Sequence, residues 1–394
     1  MTFTIGTFNV KNLIGADKEY YRWERYSAEE HAWKQDWLSD QLLAMDADIV
    51  GFQEVFEQDA LQAVVDETNA KGAAVNDRSQ PDPKARYARK MIFRKLRWHD
   101  YGSGSLAWVG NVHDTGEPGK RRPGLAILSR HPFAEPPVAI QDLSDDPIKM
   151  TFPGLGGQEA GSYKLDALSR PVLRARINVD GRIVTVFNCH LKSKLGEYEG
   201  GHHGAAEQNL LEYDPVGRAM GEARSLIRRA AEAAALRRLI IAELATGAPV
   251  IVLGDFNDNE HAVTSAMIAG ERPFKNYAWL RRHDATKPNQ RYTDDENEQI
   301  QAALSHALLH SAEKMFIRKS LRDMMYTSAF GGVYESIDQI LLSSHFQQGH
   351  ANQVYELDYL SALNDHLTDG SHAEAPYNKL ASDHGQLVAT IRAL

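Results

Sequence analysis

The sequence predicts one α/β domain with several insertions, on three observations. Short apolar runs rich in β-branched and aromatic residues alternate with longer amphipathic ones. No Pro/Gly/Ser linker, internal repeat or low-complexity tract divides the chain. An apolar fraction of 43% with 25% charged residues is that of a well-cored globular protein.

The elements follow in order. Phe3–Asn9 alternates like a strand and lacks the basic and apolar regions of a signal peptide. Ala28–Met45 reads as a helix, Asp48–Glu54 as a strand apolar enough to be buried, and Gln58–Ala70 as a second helix. Gly124–Ser129, Val172–Val179 and Ile183–His190 are strand candidates. Arg218–Ala245 is rich in Ala, Leu, Arg and Glu, strong helix formers, and leads into the strand Pro249–Asp255. Gln299–Lys314 is a helix candidate; Ser336–Leu342 and Gln386–Ile391 close the chain as strands. The expected domain is therefore 1–394, with insertions near 73–122, 195–217 and 271–298. Such long irregular connections tend to be functional.

Composition narrows the function. One cysteine, Cys189, excludes a disulfide framework and any multi-cysteine metal site. No run approaches the roughly 18 apolar residues of a membrane span, and a cytoplasmic location is expected. A net charge of -9 argues against a protein that coats nucleic acid. The charge is uneven, however: Lys84, Arg86, Arg89, Lys90, Arg94, Lys95 and Arg97 lie together without an acid among them.

Polar residues that end apolar strands mark the candidate chemistry, because rigid strand ends position catalytic groups. Asn9 ends the first strand. Glu54 closes a run where a carboxylate is costly unless it is paired or binds a cation. His190 and Lys192 follow Val184–Cys189, Asp255 and Asn257 follow Val250–Gly254, and Asp383 and His384 precede the last strand. Strand parity lets Asp255 and Asn257 point together while Phe256 packs away, and puts Cys189 opposite His190, in a buried structural place. Each signal alone has a bland alternative: a helix cap, a turn, a satisfied core histidine.

Together they carry a resemblance. Thr7-Phe8-Asn9-Val10, Gly51-Phe52-Gln53-Glu54, Gly124–Arg130, Asn188-Cys189-His190-Leu191-Lys192-Ser193-Lys194, Leu253-Gly254-Asp255-Phe256-Asn257, Ser336–Ile340 and Ser382-Asp383-His384 resemble, in order and over nearly the whole chain, the signatures of the DNase I-like endonuclease/exonuclease/phosphatase superfamily. The His-Leu-Lys-Ser-Lys and Gly-Asp-Phe-Asn forms are similar to a bacterial nuclease-like branch. The resemblance implies a four-layer α/β/β/α sandwich of two mixed sheets flanked by helices, with the site at one end. It also implies that Glu54 is the chief ligand of Mg²⁺ or Mn²⁺, helped by Asn9 and Asp383, an oxygen-rich set suited to hard cations. Asp255 would activate water, Asn257 would fix a phosphate oxygen, and His384 would bind phosphate or relay a proton, oriented by Asp338. His190 would contact the scissile phosphate from the other side, and Lys192 would add positive charge. Asp383 and His384 both reach the site only if they form a bend, since adjacent strand residues face opposite ways.

Several lookalikes compete. Asp365-His366 lacks a following apolar strand, and Leu357-Asp358 matches the Ile-Asp signature over fewer positions than Ile337-Asp338. His306 and His310 have the spacing of a helical metal pair but no intervening glutamate. His202-His203 reads as surface loop.

The expected reaction is metal-dependent phosphodiester hydrolysis, with nucleic acid as substrate and no obligate protein partner. Arg89, Lys90 and Arg94, interleaved with Tyr87, Phe93 and Trp98 and followed by Lys120-Arg121-Arg122, are the candidate backbone-binding groups. The same site would serve a lipid or small-molecule phosphoesterase, which should show an exposed apolar loop beside the cleft. An inactive interaction module is the third reading, disfavoured by the intact acidic, His and Asn set.

Overall fold

The structure, a computed structural model, describes residues 2–21, 24–78, 98–154, 156, 159–196, 215–270, 290–317, 325–330, 333–367, 378 and 380–394. Arg89, Lys90, Arg94, His202 and His203, with much of the three expected insertions, lie outside the described residues.

Two six-stranded sheets form the centre. The first has the order β15–β16–β1–β2–β4–β3, built from Tyr355–Leu363, Gln386–Ala393, Thr2–Leu13, Ile49–Val55, Gly124–Ser129 and Leu106–Val109. The second runs β11–β14–β10–β9–β8–β5, from Leu309–Ser311, Asp338–Ser343, Val250–Asp255, Arg182–His190, Ala167–Val179 and Val138–Asp142. Each holds one parallel pair, β1/β2 and β9/β10, and the helix joining each pair lies on the outer face. These are α1 (Ala28–Met45) and α3 (Pro215–Leu244); α2 (Gln58–Arg78) packs beside α1 and α4 (Val263–Ala269) beside α3. Two hairpins, β6/β7 (Ile148–Pro153, Glu159–Leu165) and β12/β13 (Ser328–Phe330, Val333–Glu335), stand outside the sheets.

Strand parity sorts the core into three apolar layers. Ile5, Ile49, Val184, Val186, Ile251, Leu253 and Ile340 face the opposite sheet. Phe8, Val50 and Phe52 meet Leu38 and Leu42 of α1 and Leu61 and Val64 of α2. Phe187, Cys189, Val250 and Val252 meet Leu236 and Ile240 of α3. Helix, sheet, sheet, helix is thus the order of layers, as the sequence reading expects. Burying aliphatic faces on both sides of each sheet is what the near-continuous apolar strands require.

Every expected strand is present. α1 matches its expected bounds, and its start is fixed by a capping box: Ser27 Oγ accepts the Glu30 N–H (3.2 Å) and the Glu30 carboxylate accepts the Ser27 N–H (3.0 Å). The expected helix Gln299–Lys314 is corrected. It is three elements: α5 (Asp294–Ala307), β11, and α6 (Ala312–Ile317). Leu309–Ser311 pairs with the edge of β14, so sheet hydrogen bonds override a local helical preference. His306 and His310 consequently do not share a helix face. Trp98, expected among the nucleic-acid-stacking aromatics, is 2% exposed and packs into the outer core beside Tyr101, over a space that Gly72 leaves open.

Candidate active site

The inner face of each sheet turns polar at the same end. On β1 the row Phe3, Ile5 and Thr7 continues to Asn9; on β10 the row Ile251 and Leu253 continues to Asp255; on β14 Asp338 begins the row of Ile340 and Leu342. Register brings these ends together. Asp255 pairs with His190 on β9 and with Asp338 on β14. Close approach of β9 and β10 here needs Gly254, at φ 137°, where a Cβ would collide with the Cys189 carbonyl oxygen.

Glu54 reaches the site against its parity. Gln53 faces the opposite sheet and donates to Asn188 Oδ1 (2.7 Å), so regular alternation would send Glu54 to the outer face with Phe52. A register shift between Gln53 and Val55 interrupts the ladder, and Glu54 adopts φ 64°. This bulge turns the carboxylate back, where it accepts from Asn9 Nδ2 (3.3 Å) and from the Asn12 N–H (3.0 Å). Lys11 (φ 50°), Asn12 (φ 55°) and Asn257 (φ 52°) share the left-handed region, so the unusual backbone clusters around one place.

Asn9, fully buried, is the hub. Its Nδ2 also lies 3.1 Å from Asp255 Oδ2 and 3.3 Å from His384 Nε2, and its carbonyl accepts from Ser382 Oγ (2.6 Å). Asp255 Oδ1 accepts the Asn257 N–H (2.7 Å), and Oδ2 faces Asn257 Nδ2 (3.3 Å) and His190 Nε2 (3.2 Å). Phe256 between them is buried in the outer core, as parity requires. His384 Nδ1 lies 2.8 Å from Asp338 Oδ2. Residues 383 and 384 form a bend, yet only His384 enters the cluster; the Asp383 carboxylate, 47% exposed, sits 3.7 Å from Lys11 Nζ. The Lys192 ammonium donates to Ser193 Oγ (3.2 Å) and the Leu195 carbonyl (3.1 Å) and lines a neighbouring cavity.

Electrostatics divide the titratable groups. Burial pushes the Asp255 carboxyl up to about 7, with His384 opposing and the Asp338 carboxylate adding to the effect. Burial disfavours the charged form of His384, but the carboxylates of Asp338 and Asp255 outweigh it and hold the imidazole well above its ordinary pKa. His190 is pushed well below its ordinary value, chiefly by burial. A neutral His190 satisfies Asp255 when its proton sits on Nε2, which leaves bare the buried Nδ1, without a hydrogen-bond partner among the described residues.

The lookalikes part company here. Asp358 is exposed on β15, whereas Asp338 is fully buried against His384. His366 holds the His384 carbonyl through Nε2 (3.0 Å) and lies edge-on to Trp37. Three residues that the sequence reading passed over also build the site. Thr327 Oγ1 accepts the Asp338 N–H (3.0 Å), Ser382 Oγ accepts the His384 N–H (3.0 Å), and Arg170 Nη1 donates to the Leu191 carbonyl (3.1 Å). Ser382 lay within a quoted motif; Thr327 and Arg170 are found only through the fold.

The donor set fits a hard divalent cation. Asp255, Asp338 and His384 each offer a ligand-type atom within 4.8 Å of the others, and Glu54 and the Asn9 amide adjoin them. Asp338 Oδ1 is buried without a hydrogen-bond partner among the described residues. Three carboxylates around one imidazole leave negative charge that a cation would offset.

Residues 6–384 match the profile of the Endonuclease/Exonuclease/phosphatase family. Among solved structures, the chain is similar to an endonuclease/exonuclease/phosphatase from Beutenbergia cavernae at 13% identity and TM-score 0.46, covering 100% of this chain and 72% of that one. It is similar to a family protein from Leptotrichia buccalis at 13% identity and TM-score 0.45, covering 99% of each. The human Nocturnin catalytic domain with bound sulfate anion is similar at 15% identity and TM-score 0.48, covering 100% of this chain and 94% of that one. No curated protein sequence matches the chain.

Proposed function

Because the chain belongs to the endonuclease/exonuclease/phosphatase family, a class of phosphoester hydrolases, we propose that it is a divalent-metal-dependent phosphodiesterase acting on nucleic acid. The observation that carries this reading is the convergence of Asn9, Glu54, Asp255, Asp338 and His384 from both sheets on one buried cluster. Glu54 and Asn9 would hold Mg²⁺ or Mn²⁺, with Asp255 alongside. The bound cation would supply neutralisation of the phosphate oxygens and of charge developing on the leaving oxygen.

The chain's own residues divide the remaining work. Asp255 takes a proton from water as the new P–O bond forms. The neutral His190 keeps Asp255 Oδ2 in place by donating from Nε2. His384, held protonated by Asp338, presents Nε2 to the phosphate and gives up its proton as the bond to the leaving oxygen breaks. Asn257, pinned by its Nδ2 to the Leu191 carbonyl (3.0 Å), shapes the phosphate pocket beside Asp255.

One observation supports a second reading. The β12/β13 hairpin springs from Thr327 and Ser336 beside Asp338, and carries Phe330, 83% exposed, with Val333 and Tyr334 also exposed. An apolar projection next to the site suits a lipid phosphoester interface. The two readings separate in a cleavage panel of single- and double-stranded DNA, RNA and phospholipid vesicles, each with Mg²⁺ and with Mn²⁺. Turnover of vesicles without turnover of any polynucleotide would replace the first reading with the second.

A further inference from the structure

A cavity of about 660 Å³ opens beside the catalytic cluster, between β8, the end of β9 and the first half of α3. Its lining brings together Arg122, Lys192, Arg224 and Arg228 with the Tyr163 ring and Ser169, and contains no carboxylate among the described residues. Arg228 is braced: Nε lies 3.3 Å from Glu232 Oε1 and Nη2 donates to the Ala167 carbonyl (3.1 Å). Glu232, 2% exposed, is otherwise engaged by the Ser169 N–H (2.9 Å), Ser169 Oγ (2.5 Å) and the Lys192 N–H (2.8 Å). It therefore fastens the wall of the cavity and offsets the charge of Arg228, leaving Arg122, Lys192 and Arg224 as the cations of the lining. The Arg122 and Arg224 guanidinium groups have no acidic partner among the described residues.

The cavity is tied to the catalytic centre. The Leu191 carbonyl accepts from Asn257 on the catalytic side and from Arg170, the neighbour of Ser169, on the cavity side. Lys192 of the cavity lining also lies only two residues beyond His190, the last residue of β9. A polynucleotide offers further backbone phosphates beside its scissile one, the chemistry that a basic cavity of this kind takes. The volume exceeds what a phosphate alone fills, and Tyr163 and Ile227 give apolar surface for a sugar and base. A concave pocket of this kind suits a strand better than it suits a flat bilayer.

We propose that the cavity formed by Arg122, Lys192, Arg224 and Arg228 is a second phosphate subsite, taking a non-scissile phosphate of a polynucleotide substrate. The assignment rests on the phosphodiesterase reading and narrows its substrate. Its test is binding rather than turnover: fluorescence anisotropy of short labelled DNA and RNA oligonucleotides in excess chelator, for the wild type and for Arg122→Ala/Arg224→Ala. The double variant should weaken binding roughly tenfold or more, and loss of that one phosphate contact should flatten the log–log salt dependence by about 0.7 to 0.9. Arg122→Lys/Arg224→Lys should restore most of that slope. Wild-type affinity and slope in the alanine variant would overturn the subsite, as would failure of the wild type to bind either oligonucleotide. Loss of binding to anionic vesicles alone would overturn it too. Hydrolysis of a small chromogenic phosphodiester by the wild type with Mg²⁺ tests the catalytic reading separately. Its failure, with oligonucleotide binding lost in the variant, would sink the enzyme assignment and keep the subsite.

Discussion

His384 Nδ1 lies 2.8 Å from Asp338 Oδ2, so the ring is held by a fully buried carboxylate with its Nε2 turned toward Asn9 and Asp255. That contact joins the bend before the last strand to the first residue of β14, a neighbour of Asp255 in the second sheet. It fixes both the direction of the ring and its charge.

Replacing His384 by Ala should lower kcat by about 10²- to 10⁴-fold, the usual range for an acid–base group, and Asp255→Asn should do the same. Asp338→Asn should cost less, because the ring remains present. Removing the carboxylate takes away the main influence holding His384 protonated. If the imidazolium is the acid, activity falls as pH rises through its pKa, and in Asp338→Asn that alkaline limb should move to lower pH. An unmoved limb would exclude this role. Asp358→Asn, on an exposed position of β15, should behave as wild type.

Glu54 occupies its place through a bulge, not through packing, so Glu54→Gln should leave the thermal midpoint within a few degrees while abolishing metal-dependent turnover. Excess chelator should do the same to the wild type, with recovery on adding Mg²⁺ or Mn²⁺. Full activity in chelator would rule out the cation assignment.

Stability should carry a pH signature away from the site. Burial, helped by Glu260, pushes the Glu313 carboxyl up to about 7. Its folded pKa exceeds the unfolded value of about 4.3, so the folded state binds the proton more tightly. The stabilisation is complete below the unfolded value and is lost as pH rises through about 7. Tm should therefore fall between about pH 4 and about pH 7, and Glu313→Gln should remove that part of the slope. Equal slopes in the two proteins would refute the assignment.

Gly254→Ala tests the strand approach that seats Asp255. The added Cβ meets backbone of Cys189, which cannot swing aside, and the φ of 137° is unsuited to alanine. A loss of about 2–3 kcal/mol or more in urea unfolding is expected. A neutral substitution would show that β9 and β10 can separate here.

Much of this was legible in the residues themselves. Alternation let Asp255 and Asn257 point together and set His190 opposite Cys189, because a strand has a period of two wherever it is regular. The same rule sent Phe256 and Cys189 outward into the helix-facing cores. Order along the chain tied Glu54, Asp338 and His384 to those strands through a family resemblance. What sequence alone could not determine are the departures from regularity and the contacts between distant segments. Period two sends Glu54 to the wrong face; a bulge with a left-handed residue corrects it, and that conformation is selected by partners on β1. The break of the expected helix at Leu308 follows from the open edge of β14, and Trp98 is buried because Gly72 leaves room for its ring. Thr327, Arg170 and the basic cavity exist as functional neighbours only because the sheets bring together residues far apart in the chain. A local sequence encodes which face a residue prefers; only packing in three dimensions decides which other residues it meets there.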